Sequence, residues 1–448
     1  MKKFSRGELS KNRNFLLLWF GQAVSNLGDW IIVVAMMSLV YKLSSKSSFA
    51  VGTLMIFKTL PALFFGSLAG VIVDRFDRKK LMIICDIARG LLILTLPFIK
   101  NIFGVYAIAF FLETFSIVFM PAKDASIPNI VESKNVLAAN SISHTTNYLT
   151  MIIGSAFGAT IILLVESVFG HLPFFQRLTG PNAAFYIDSG TFFLSALALS
   201  FIYLPQVELH EIGEIKWFHI KEDLLSGFSL IKNNKLLKYM IMCIGMAVLG
   251  GGSIYSLGVA YSTEVLKIGV AGFGFLISAL GLGLVVGGLI AGILGRLIAK
   301  DRLFGLSILA FGVAMVAFSI ISYYEIVIAI IVFAGINLAI LNITGFTLIH
   351  EHVDDSIRGR VFSVFESMIR VFLLMSLAFS GIVADIINWV LKKLVENLAQ
   401  HQEQLVYLTR FNGSRITLIL GGFAAVGAGV LAIRNVRIEN KGAIVADD

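Results

Sequence analysis

The ionisable residues inside the long apolar stretches of this 448-residue chain include Asp29, Lys58, Glu113, Asp188, Glu366 and Arg370. A charge at the centre of a bilayer costs about 3 kcal/mol on insertion scales, so such residues mark ion or substrate paths and are usually paired. At a helical rise of about 1.5 Å per residue, Lys58 and Glu113 each fall roughly 14 Å from the outer ends of their stretches, near the midplane. Asp29 stands in the outer half of its stretch, Asp188 about two turns into its own, and Arg370 near a midplane, one turn from Glu366. Two chemistries fit. Glu113 or Asp29 can exchange a proton while the Lys58 ammonium sets how tightly it is held. Alternatively, Lys58 and a carboxylate form a static pair that ties helices together, and Glu366–Arg370 is a local pair one turn apart. Asp86 and Arg89, three apart, pair with each other or with the basic loop before them.

Other chemistry is absent from the pattern. No Ser/His/Asp or His-Glu-x-x-His constellation occurs, and no Gly-x-x-x-x-Gly-Lys-Ser/Thr phosphate loop, so neither an enzyme nor an ATP-driven machine is expected. Cys85 and Cys243 lie in apolar runs and read as inert thiols; no metal and no cofactor is expected. His144 suits a capping or interfacial role better than a proton relay. Asn337 and Asn342 either line a path or bond across helices.

The elements that must carry these residues follow from composition. The chain is 57% hydrophobic and 14% charged, where a soluble domain is about 45–50% and 25%. With 41 Gly and 37 Phe against 7 Pro, this is the balance of helices packed closely in lipid. The net charge of +8 reads as basic loops beside a membrane, not as a nucleic-acid surface. A bilayer core about 30 Å thick needs about 20 apolar residues per helix. Twelve runs qualify, at 14–41, 49–73, 81–99, 103–122, 138–165, 183–204, 237–261, 271–298, 303–322, 325–349, 361–391 and 414–434. Backbone groups in lipid must pair within their own segment, so these are helices. The fold class expected is an all-α membrane protein of twelve helices. Lys and Arg concentrate in the terminal segments and in the connections on one side, which places both termini in the cytoplasm. The first apolar run is too long for a signal peptide and reads as the first span.

The expected organisation is two six-helix bundles, 1–204 and 237–448, joined by a cytoplasmic linker at 205–236. Within the linker Trp217, Phe218, Ile220, Leu224, Leu225, Phe228 and Ile231 recur at helical spacing, an amphipathic helix for the membrane surface. A faint repeat relates the halves: Val131-Glu132-Ser133 leads to Ala139-Asn140-Ser141, and Val353-Asp354-Asp355 leads to Val361-Phe362-Ser363. Halves related by an axis along the membrane normal are a transporter plan.

The loop after the second span runs Gly70-Val71-Ile72-Val73-Asp74-Arg75-Phe76-Asp77-Arg78-Lys79-Lys80. Gly70 permits close helix contact there. Asp74 at the helix end, with Arg75, Asp77, Arg78 and Lys79 around it, can form ion pairs that latch one conformation and release in the next; the plainer reading is a solvated loop that serves topology. This stretch resembles the major facilitator superfamily pattern Gly-x-x-x-Asp-Arg-x-Gly-Arg-Lys/Arg-Lys/Arg, with Asp77 in place of the second glycine. Gly21-Gln22-Ala23-Val24-Ser25, Leu27-Gly28-Asp29-Trp30 and Ile357-Arg358-Gly359-Arg360-Val361-Phe362-Ser363 resemble the branch that includes macrolide-efflux exporters. In the fifth span Gly154-Ser155-Ala156-Phe157-Gly158-Ala159 is a degraded form of the antiporter signature Gly-Pro-x-x-Gly-Gly. Gly154 and Gly158 keep a small-x-x-x-small packing face. The resemblance implies a multi-pass secondary transporter of the bacterial cytoplasmic membrane, a monomer, alternating access around a central cavity, and proton-coupled export of amphiphilic, drug-like compounds. A lysophospholipid, siderophore or other metabolite transporter of the same fold, and a membrane protein that transports nothing, stay open beside it.

Overall fold

The computed structural model describes residues 9–167, 179–204, 234–397 and 412–436. The linker helix expected between 205 and 236 falls almost wholly outside them. Among the described residues twelve helices are long and apolar enough to cross a membrane. They are α1 Arg13–Leu43, α2 Ser48–Arg75, α3 Arg78–Thr95, α4 Ile102–Ile130, α5 Val136–Ser167, α6 Gly180–Ser200, α7 Lys235–Val265, α8 Gly272–Leu297, α9 Lys300–Ile320, α10 Tyr324–His352, α11 Asp355–Asn397 and α12 Gly413–Asn435. Helix starts follow capping chemistry, in which a short polar side chain takes an N–H that the first turn leaves orphaned. Asn12, Asp77, Asn101, Thr179, Asn234 and Asn412 each accept such a bond, opening α1, α3, α4, α6, α7 and α12.

Two helices outrun the sequence expectation. α4 continues past residue 122 to Ile130 with Pro121 and Pro128 inside it. α11 has 43 residues, about 65 Å at the usual rise, because the polar turn Asp355–Arg360 is already helical. α7 is interrupted at Gly252, which caps one helical segment and opens the next, and ends in a π-helical turn, Tyr261–Val265.

Two compact units emerge. The first contains Met1–Ser45, Ile56–Gly213 and Val270–Ser278; the second contains Lys46–Met55, Glu214–Gly269 and Ala279–Asp448. In the first unit α1 packs on α5 and α6, and α3 packs on α4 and α6. Gly154 and Gly158 of α5 meet α1 as backbone: an added Cβ would lie 2.6 Å from the Leu27 carbonyl oxygen and 3.0 Å from Ile31 Cα. In the second unit α12 packs on α7 and α9. A Cβ on Gly250 would stand 2.2 Å from the Gly421 carbonyl oxygen, and one on Gly312 2.5 Å from the Val426 amide nitrogen. Asp385 of α11, also in the second unit, accepts from Ser47 Oγ at 2.6 Å and from the amides of Ser48 and Phe49 at 3.1 and 3.3 Å, capping the start of α2.

Candidate functional site

The site is built on α1, α2, α3, α4 and α6 of the first unit. Lys58 on α2 and Glu113 on α4 form an ion pair, Nζ to Oε2 3.0 Å, with both side chains about one quarter exposed. Arg89 on α3 is buried and donates from Nη2 to Asp86 Oδ1 one turn earlier. It reaches Asp29 Oδ2 on α1 at 3.8 Å and donates to Ser116 Oγ on α4 at 3.2 Å. Phe119 and Phe192 cover its guanidinium, their ring centroids 4.7 and 4.3 Å from the central carbon. Cation–π contact of this kind strengthens where water is excluded. Asp86 is fully buried and its second oxygen accepts from Ser195 Oγ at 2.6 Å. Asp29 remains about one third exposed. The three form a line of charge from an accessible carboxylate, through a stacked cation, to a buried carboxylate.

Asp188 on α6 is fully buried. Its Oδ1 lies 3.2 Å from Thr191 Oγ1 and its Oδ2 has no hydrogen-bond partner. Space for this carboxyl comes from Gly28, where a Cβ would stand 1.9 Å from Oδ1.

The sequence expectation grouped Asp29 with Lys58 and Glu113. The ion pairs are distributed differently: Lys58 takes Glu113, and Asp29 takes Arg89. Arg89 as the hub was missed, although its three-residue spacing from Asp86 signalled that pair. A polar seam between α1 and α5 was also missed. Gln22 Nε2 and Asn26 Nδ2 donate to Asn147 Oδ1 at 2.8 and 2.6 Å, Ser143 Oγ donates to Gln22 Oε1, and Trp19 Nε1 donates to Thr146 Oγ1 at 2.8 Å. Trp19, Gln22 and Asn26, at steps of three and four, carried the signal: one polar face on an apolar helix.

Three expectations need correction. Glu366 and Arg370 are half-buried on α11 but form no ion pair among the described residues. A pair one turn apart on a helix gains only about 0.2–0.5 kcal/mol, too little to fix two long side chains. Gly70 makes no close helix contact; an added Cβ would meet open space. Asn337 donates to Phe333 O of its own helix at 2.8 Å instead of bridging helices.

In the basic loop, Asp74 and Arg75 are exposed. Asp77 accepts from the Lys80 amide at 3.0 Å with φ −58°, an ordinary conformation in which a carboxylate caps α3 where the family pattern has glycine. Arg78 donates to Ala125 O at 2.7 Å, and Lys79 to Ser200 O and Ile202 O, each at 2.7 Å. These bonds tie the start of α3 to α4 and to the end of α6. His144 is exposed on α5. Among the described residues no cluster of His, Cys, Asp or Glu could hold a metal ion.

The family model described as transmembrane secretion effector matches residues 9–391. The chain is 26% identical over 396 residues to the MFS-type transporter YfiS of Bacillus subtilis, covering 86% of this chain and 89% of that one. It is 23% identical over 400 residues to macrolide efflux protein A of Streptococcus pyogenes, covering 86% and 92%. Its fold matches a bacterial homologue of the human lysosomal transporter Spinster in an inward-facing, unoccupied conformation, with TM-score 0.75, 14% identity, and 95% and 97% of the two chains covered. A chain with this family match is a multi-pass protein of the bacterial cytoplasmic membrane. It is a transporter of small molecules and not an enzyme.

Proposed function

From the premise that this chain belongs to the transmembrane secretion effector family of major facilitator transporters, we propose that it exports an amphiphilic, drug-like compound in exchange for protons. One observation carries the reading: paired acids and bases sit within apolar helices, on four helices of one unit. Such groups are costly in lipid and are kept where they do work. In this account Glu113 and Asp29 are the carboxylates open enough to meet water, and Lys58 and Arg89 are their counter-charges. When a proton neutralises Glu113, Lys58 loses its partner and the hold of α2 on α4 weakens. A substrate or a second conformation then competes for those groups. The name of macrolide efflux protein A supports a macrolide as the first compound to try. The termini are cytoplasmic in this account, and Asp74 with Arg75 acts as a conformational latch on the same side.

The test is erythromycin efflux from a host deleted for its own pumps, with and without an uncoupler. Export that collapses with the uncoupler is expected. Uncoupler-resistant export would remove proton drive from the account. Asp74→Asn should slow turnover more than it weakens apparent affinity, and a change confined to affinity would argue against the latch.

A further inference from the structure

Asp86 and Asp188 make an informative pair, since both are wholly buried carboxyls in the same unit. Asp86 has what an ionised carboxylate needs: Arg89 on one oxygen and the Ser195 hydroxyl on the other. Asp188 has neither a cation nor a committed donor. Arg89 is engaged by Asp86 and Asp29, and Lys58 by Glu113. One oxygen of Asp188 has no partner at all. Its one hydrogen-bonding side chain among the described residues, Thr191, has a single hydroxyl hydrogen and lies 2.7 Å from the Asp188 backbone carbonyl oxygen, closer than the 3.2 Å to Oδ1. With that hydrogen given to the backbone, Thr191 Oγ1 is left as an acceptor facing Oδ1. An acceptor beside a carboxyl oxygen is satisfied when the carboxyl brings its own hydrogen. An unpaired ion in so dry a place is untenable, and such a group neutralises instead.

We propose that Asp188 is a reversible proton-binding residue of this site, protonated in the described conformation and donating from Oδ1 to Thr191 Oγ1. The inference deepens the proton-coupled reading above and rests on it for its use in transport. Its proton has short routes out. Gly28, which makes room for the carboxyl, directly precedes Asp29, the accessible end of the charge line. The groups facing Asp188 from the packed helices are Asp29 on α1 and Arg89 on α3, and Lys58 on α2 also acts on it. The ionisable groups of α5, His144, Tyr148 and Glu166, are exposed. If Arg89 turns from Asp86 or Asp29 toward α6, the Asp188 carboxylate gains a counter-charge and its proton passes to Asp29 or to water. One O–H bond breaks and one forms, with no other reactant.

The test is infrared difference spectroscopy of the purified protein in lipid vesicles, wild type minus Asp188→Asn. The amide mimics the neutral acid, so folding should survive. The expected result is a carbonyl band of a protonated carboxylic acid that shifts in deuterated water, fades as the medium is made alkaline and returns on acidification. Thr191→Val should shift this band without removing it, and supplies the assignment if Asp188→Asn does not insert. Absence of the band, or a band indifferent to pH, overturns the proposal. Uncoupler-resistant erythromycin efflux by the wild type would instead remove proton drive and leave the band in place, so the two failures are separable.

Discussion

Asp86, Arg89, Lys123 and Asp188, the charged residues buried among those described, all lie in the first unit. The buried polar side chains of the second are Ser, Thr and Asn337. Most satisfy themselves against their own helices: Ser307, Ser319 and Thr344 donate to Leu303 O, Met315 O and Ile340 O at 2.5, 2.6 and 2.7 Å. A hydroxyl that bonds four residues back costs a membrane helix little. A carboxylate has no such local remedy, and its partner must come from elsewhere in the fold. The first unit therefore depends on specific meetings of α1, α3, α4 and α6. The second depends on close backbone contact, as at Gly250–Gly421 and Gly312–Val426. The proposed proton exchange draws on the buried charges of the first unit, and the second offers none among the described residues.

The contrast can be broken by substitution. Arg89→Ala should be the most damaging, because it strands Asp86 as a buried charge. Breaking one side of a buried pair costs about 3–5 kcal/mol, seen as a large fall in the thermal unfolding temperature of the purified protein. A variant as stable as wild type would mean that Asp86 is not ionised. Next, Gly250→Val should push α7 off α12; overpacking a filled interface costs about 1–3 kcal/mol, read in the same assay without any change in uncoupler sensitivity. The pair Lys58–Glu113 sharpens the comparison. Each alanine variant should lose stability, and the double variant should recover part of it, with a coupling of about 0.5–3 kcal/mol. Simple additivity would deny the pair any stabilising role. The smallest effect should come from Ser256→Ala, which removes the 2.6 Å contact with Ser380 Oγ, about 1 kcal/mol.

Much of this fold is legible in the sequence because the bilayer imposes a single rule on every span. The twelve runs, the exceptional charges within them and the Gly154 and Gly158 contact surface all declare themselves by type and spacing. Partnership does not. Whether Lys58 meets Asp29 or Glu113 depends on how α1, α2 and α4 rotate about their axes, and hydropathy carries no such angle. For Arg89 the sequence left two partners open, Asp86 or the basic loop before it. Its burial depends on Phe119 and Phe192, distant in sequence, closing over it. Gly70 misled because a family glycine suggests contact, yet its neighbourhood is open. Thr191 carries no motif at all, and its importance lies only in standing beside Asp188.

Proton uptake by vesicles holding Glu113→Gln or Glu366→Gln, set beside wild type during erythromycin efflux, tests the division of labour most directly. The account predicts that Glu113→Gln abolishes efflux-linked proton uptake while Glu366→Gln retains it. Loss in Glu366→Gln with retention in Glu113→Gln would contradict it.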